Sequence, residues 1–104
     1  MMALLLLAAT QVAPPLTEAE QDIVVIARRL SGASAIVGRD ARGRFTCSLN
    51  ASTGNATLDN RLCKTAANCV KSVGADQAKV SACIDRRKPQ LLADVRQAMA
   101  ESRR

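Results

Sequence analysis

Four cysteines, Cys47, Cys63, Cys69 and Cys83, stand in a sequence of 104 residues that contains no histidine. Cysteines in a chain of this size form disulfides, bind metal or carry out redox chemistry. Structural zinc sites usually bring cysteines in close pairs and often add histidine, and a thioredoxin-like dithiol needs the C-x-x-C spacing. This chain has neither pattern. We therefore expect two disulfides, no metal and no cofactor.

The start of the chain agrees with this assignment, because residues 3–9 form an apolar stretch. Small residues and then Pro14 and Pro15 follow it, and its length is that of the core of a secretory signal peptide, although no basic residue precedes it. A membrane-spanning helix needs about 20 apolar residues, which is more than this stretch supplies. We interpret residues 1–13 as a cleavable signal peptide. The protein is then periplasmic or secreted, since disulfides persist in oxidising compartments.

Residues 14–104 are expected to form a single small domain that depends on its disulfides. Phe45 is the only aromatic residue of the chain, so the core must be mostly aliphatic. A small domain with such a core is only marginally stable. Each disulfide typically contributes about 2–4 kcal/mol by restricting the unfolded chain. The cysteines therefore have a structural purpose whatever the protein does.

Apolar spacing and turn residues predict a mostly helical α+β domain that begins with a helix and a hairpin. Thr17 and Glu20 form a capping box, and apolar residues then recur at helical spacing over residues 18–31. Residues 34–39 and 44–50 are extended segments on either side of a turn, which predicts a β-hairpin.

Three further helices are predicted after the hairpin. Thr57 is the expected cap of the first, and Asp76 is the expected cap of the second. Pro89 should end the second helix and begin the third, because proline cannot donate the amide hydrogen bond of a helix interior.

The disulfide pairing follows from the positions of the cysteines in these elements. Cys63 and Cys69 fall on different faces of one predicted helix, too far apart to form a disulfide. That excludes one of the three pairings that four cysteines allow. Of the other two, we favour Cys47–Cys63 with Cys69–Cys83, because the turn at Gly74 places Cys69 almost opposite Cys83.

Residues 36–63 carry short motifs in a distinctive order. These are an Asp-x-x-Gly turn between two strands, a Ser-Thr-Gly turn and a helix that opens with Leu-Asp: Asp40 to Gly43, Ser52-Thr53-Gly54 and Leu58-Asp59. The order resembles the start of the C-terminal domain of TonB-type energy transducers. Some members of that family carry one cysteine on the strand and one on the helix, as Cys47 and Cys63 would here. The resemblance implies a bacterial envelope protein with a strand–turn–helix unit whose exposed strand pairs with a partner segment.

The rest of the chain departs from that family. The leader is too short for the membrane anchor of a transducer, no Pro-rich span is present, and helices are predicted where the family has closing strands. We therefore expect a non-enzymatic protein-binding module and not an energy transducer. By analogy, Ile36 and Val37 would form the strand-pairing edge for another envelope protein.

Catalytic chemistry is not expected from this composition. Without histidine, a Ser or Cys nucleophile lacks its commonest base. Ser52 lies among turn residues, and Asp59 lies in the first turn of a predicted helix, where its charge favours the helix dipole. No carboxylate pair and no Gly-rich phosphate loop stands out.

The net charge of +6 favours anionic partners. Nucleic acid is not expected, because the chain has no Tyr or Trp on which bases could stack. In the last helix, basic residues accompany an apolar stripe of Leu91, Leu92, Val95 and Met99; the basic residues are Arg86, Arg87, Lys88 and Arg96. An alternative function is therefore binding of an anionic membrane surface through this amphipathic helix. The competing interpretation is that the stripe packs on its own domain and leaves the basic side chains in solvent.

Overall fold

The computed structural model of the protein describes residues 15–102. Along this range lie α1 (Glu18–Gly32), β1 (Ala35–Arg39), β2 (Phe45–Leu49), α2 (Ala56–Val73) and α3 (Gln77–Glu101). The predicted class, α+β and mostly helical with a hairpin after the first helix, is confirmed. The predicted signal peptide, residues 1–13, lies outside the described residues.

Capping residues begin two of the helices as predicted and one differently. Thr17 caps α1 and Asp76 caps α3. The prediction that Thr57 caps α2 is wrong, because Asn55 takes that position and its side chain accepts the N–H of Leu58. Asparagine is at least as good an N-cap as threonine, and α2 therefore starts early enough to include Thr57 in its first turn.

The break predicted at Pro89 is also wrong. Helix α3 runs through this residue for 25 residues, so the described part of the chain contains three helices and not four. Pro89 is exposed, while Ile84 before it and Leu91 after it are both buried in the same core. Packing of both halves against that core keeps them on one axis and outweighs the cost of the missing amide hydrogen bond.

The hydrophobic core is centred on the pair α2 and α3, which pack most extensively. Helix α1 adds Ile26 and Leu30 to it. The hairpin covers one side with half-buried side chains on its inner face, namely Val37, Phe45, Cys47 and Leu49. Its turn is closed by Gly43, whose φ of +77° lies in the left-handed region that glycine adopts without strain.

Two disulfides tie these elements together, and the pairing is the one favoured from the sequence. Cys47–Cys63 joins β2 to α2, with Cα atoms 5.7 Å apart. Cys69–Cys83 joins α2 to α3, with Cα atoms 5.9 Å apart. Both distances lie within the usual range for disulfides. The hairpin is thus covalently held on the helical pair.

Candidate functional site

Strand β1 has one edge that pairs with β2 and one that faces away from it. The sheet has only these two strands within the described residues. Asp40 donates its N–H to the carbonyl of Arg44 at the end of the ladder, and every second residue of an antiparallel strand bonds across. The N–H and C=O groups of Ala35, Val37 and Arg39 therefore point to the opposite edge.

The side chain of Gln77, the first residue of α3, covers part of that edge. The N–H of Val37 donates to Gln77 Oε1 at 3.2 Å, and Gln77 Nε2 donates to the carbonyl of Ala35 at 2.9 Å. Ser81 Oγ lies 3.0 Å from the same Nε2 and accepts a further hydrogen bond from it. The amide of Gln77 thus supplies two of the bonds that a neighbouring strand would make.

The two residues predicted to form the pairing edge present different groups. Ile36 directs its side chain to the outer face of the hairpin, opposite Ser48, and is 53% exposed. Val37 is half-buried on the inner face and offers its backbone to the edge. Only Val37 therefore offers backbone groups to the outward edge, and its N–H is bonded to Gln77. The backbone groups of Ile36 face β2.

A cavity of about 190 Å³ lies beside the end of β1, between the hairpin and the turn that joins α2 to α3. Apolar groups form most of its wall, and one arginine stands among them; the lining residues are Val37, Gly38, Arg39, Phe45, Val70 and Ala75. It has room for one aliphatic side chain next to a cationic group.

The tip of the hairpin is positively charged. Asp40 is satisfied locally, since its carboxylate accepts the N–H groups of Arg42 and Arg44, each at 2.9 Å, and Nε of Arg44 at 3.0 Å. The N–H of Arg44 has the largest effect and holds the pKa of Asp40 below its ordinary value, against a smaller opposing effect of desolvation. Arg39 donates only to the carbonyl of Gly43, at 2.9 Å, and has no carboxylate partner among the described residues.

The turn before α2 contains the other polar cluster of interest. Asp59 accepts hydrogen bonds from Ser52 Oγ at 2.5 Å, from Thr53 Oγ1 at 2.6 Å and from Thr53 N–H at 2.8 Å. Desolvation alone would raise the pKa of Asp59, but these three bonds outweigh it and lower the pKa. The carboxylate of Asp59 is therefore engaged in hydrogen bonds within its own turn. This arrangement stabilises the start of α2.

Lys88 does not belong to the predicted anionic-surface patch. Its Nζ lies 2.8 Å from the carbonyl oxygen of Ala33, 3.4 Å from that of Ser31 and 3.0 Å from Asp85 Oδ1. Its side chain is only 14% exposed. The ammonium of Lys88 makes its contacts within the domain, because the carbonyl groups that end α1 attract a positive charge.

The apolar stripe of the C-terminal helix packs inside the domain. Leu91 and Val95 are buried in the core, and Leu92 and Met99 pack half-buried against it. The interpretation that the stripe packs on its own domain is confirmed. Three basic residues of the patch remain exposed, namely Arg86, Arg87 and Arg96.

A larger groove, of about 520 Å³, lies between α1 and the end of α3. Its lining includes Ile23, Val24, Arg96 and Met99. No residue of the hairpin lines this groove, which is therefore separate from the edge of β1.

The contribution of Gln77 was not predicted from the sequence. Its only local signal is its place directly after the cap residue Asp76, where the helix begins. Nothing in that position indicates that the side chain reaches a strand 40 residues earlier.

No helix of residues 15–102 is long enough and apolar enough to cross a membrane. In the same range, no three His, Cys, Asp or Glu side chains come together in a way that could hold a metal ion. Comparisons with protein-family models, with curated proteins and with solved structures find no match for this chain. The resemblance of residues 36–63 to the C-terminal domain of TonB-type transducers therefore stays a prediction.

Proposed function

We propose that this chain is a non-enzymatic binding module of the bacterial envelope that captures an extended segment of another envelope protein along β1. The observation that supports this most is the outward edge of β1. Its backbone groups point away from β2, and within residues 15–102 no strand pairs with them. An edge of this kind binds a partner strand through main-chain hydrogen bonds.

The two disulfides support both the compartment and the mode of binding. Disulfides persist in oxidising compartments such as the periplasm. The Cys47–Cys63 bond also fixes β2 to α2, so the hairpin is held in one position before a partner arrives. A preformed surface loses little conformational entropy on binding.

Substitutions in β1 test the proposal against an envelope extract. Val37→Pro removes an outward N–H but no bond to β2, and Ile36→Glu places a charge beside the edge. We expect both variants to lose specific partners that the immobilised wild-type chain retains, as measured by quantitative mass spectrometry. Val24→Glu changes an equally apolar, 44% exposed residue on α1 and should retain them. An unchanged partner set in all variants would contradict strand pairing.

Binding of an anionic membrane surface through the C-terminal helix is the alternative, and it ranks second. The residues that would insert, Leu91 and Val95, lie in the core, and Lys88 caps α1. We expect no co-sedimentation with anionic or neutral lipid vesicles at low or high salt. Salt-sensitive binding to anionic vesicles that is lost in the double variant Arg86→Gln/Arg87→Gln would instead favour the alternative.

A further inference from the structure

The amide of Gln77 imitates one residue of an added strand. A residue of a parallel neighbour donates its N–H to one carbonyl and accepts the N–H two positions further along the same strand. Gln77 makes this pair of bonds, to the carbonyl of Ala35 and the N–H of Val37. A side chain therefore stands where the backbone of a partner would stand.

A partner backbone can replace this side chain at little cost. Gln77 is exposed, and its amide is held by the two bonds to β1 and by Ser81. A partner strand would supply the same two bonds to β1 and release the Gln77 amide to water. Exchange of two hydrogen bonds for two leaves the balance close to zero. Affinity must then come from the groups that Gln77 does not touch, which include the N–H of Arg39.

The surroundings of that edge specify the chemistry of the partner. The 190 Å³ cavity beside Val37 and Arg39 has space for an aliphatic side chain. Arg39 and Arg42 lie at the hairpin tip, and neither forms a salt bridge with a carboxylate of residues 15–102. The carboxylate of Asp40 is occupied by backbone N–H groups and by Arg44. An acidic residue at this end of the partner would meet an uncompensated positive charge.

We infer that Gln77 is a displaceable substitute for the partner strand, and that the partner is an extended peptide with aliphatic residues next to acidic ones. This inference rests on the proposed function of β1. It adds to that function that the side chain of Gln77 lowers the affinity for every partner, because each partner must compete with it for Val37 N–H and Ala35 C=O.

The probe is a fluorescein-labelled octapeptide of alternating threonine and valine that ends in two glutamates, with its binding followed by fluorescence polarisation. Gln77→Leu keeps the size of the side chain and removes the competing amide, so the peptide should bind about fivefold more tightly than to wild type. Gln97→Leu, which alters an exposed glutamine of α3 bonded to Glu101, is the matched control and should bind like wild type. A lysine version of the peptide should bind more weakly, and a backbone N-methylated version should not bind.

Hydrogen exchange gives a second measurement that does not depend on affinity. The N–H of Val37 should exchange faster in Gln77→Leu than in wild type, and the acidic peptide should protect it in both. Gln77→Glu serves if Gln77→Leu does not fold, because a carboxylate still accepts from Val37 but cannot donate to Ala35. We expect its affinity to lie above that of wild type when measured with an uncharged version of the peptide, in which two glutamines replace the glutamates.

The outcomes separate the inference from the function. If neither wild type nor any Gln77 variant binds any peptide, the proposed function is wrong. If wild type binds the acidic peptide and the Gln77 variants bind it no more tightly, the function stands and the role of Gln77 is wrong. Self-association of Gln77→Leu without peptide binding, seen by analytical ultracentrifugation, would overturn the peptide as occupant and assign the edge to a second copy of the chain.

Discussion

The ammonium of Lys88 lies 2.8 Å from the carbonyl oxygen of Ala33, which stands 55 residues earlier in the chain. Ala33 is the C-cap of α1, so Lys88 places a positive charge at the end of that helix, where the carbonyl groups carry a partial negative charge. A residue of α3 thereby holds the end of α1 and the start of the hairpin in position.

Replacement of Lys88 by Met should lower the stability of the domain. The methionine keeps the apolar stem but removes the charge from the α1 carbonyl groups, and we expect a loss of about 1–2 kcal/mol in the free energy of unfolding. Urea denaturation followed by circular dichroism measures it. Arg87→Met, at an exposed neighbour, should change the stability by less than about 0.5 kcal/mol. Equal effects of the two substitutions would contradict the capping role.

Replacement of Asp59 by Asn should destabilise the start of α2 in a pH-dependent manner. Three hydrogen bonds to the ionised carboxylate lower its folded pKa below the ordinary value of 3.8. Its contribution is therefore fully present above the unfolded pKa and is lost as the pH falls through the folded pKa. We expect Asp59→Asn to lower the free energy of unfolding by about 1–3 kcal/mol at pH 7, and the difference from wild type to shrink below about pH 4. A difference that does not vary with pH would contradict this account.

Replacement of Pro89 by Ala should stabilise the protein. The residue is exposed within α3, and alanine restores the amide hydrogen bond to the preceding turn, so we expect a gain of about 1–3 kcal/mol in the free energy of unfolding. Ala93→Pro, also exposed in α3, should do the reverse and cost about 3 kcal/mol. Thermal and urea unfolding of the two variants decide this; destabilisation by Pro89→Ala would show that the ring itself is needed against α1.

The two disulfides should differ in how easily they are reduced. Cys69 and Cys83 are buried, whereas Cys47 and Cys63 are only half-buried, so a mild reductant should open Cys47–Cys63 first. Intact-mass analysis after stepwise reduction and alkylation reports the order. Removal of either disulfide frees a loop in the unfolded chain and should lower the free energy of unfolding by about 3 kcal/mol. The paired cysteines are 16 and 14 positions apart, which sets the size of each loop. Free thiols in the unreduced protein would contradict the presence of the two disulfides.

Several features of the fold could be predicted because their causes are local. Thr17 and Asp76 lie a few residues from the amides that they cap, and the hairpin depends on a short turn closed by Gly43. The disulfide pairing could also be predicted from the sequence, because each disulfide joins two elements that are consecutive in the chain. The error at the cap of α2 is of the same local kind, since Asn55 and Thr57 are both suitable caps.

The candidate site could be predicted only in part. The exposure of Ile36 and the outward backbone of Val37 follow from an edge strand, which the sequence indicates. The amide of Gln77 at that edge comes from a helix that begins 40 residues later, and no spacing of apolar or capping residues encodes such a contact.

The sequence by itself determined the class of the fold and the pairing of the cysteines, because these depend on composition and on residues close together in the chain. Only the tertiary structure decided that α3 continues through Pro89, that Lys88 caps α1 and that Gln77 occupies the edge of β1. Each of these depends on packing or hydrogen bonding between distant segments. For Pro89 and Lys88, their free energies exceed the local preference of a proline to end a helix and of a lysine to remain in solvent.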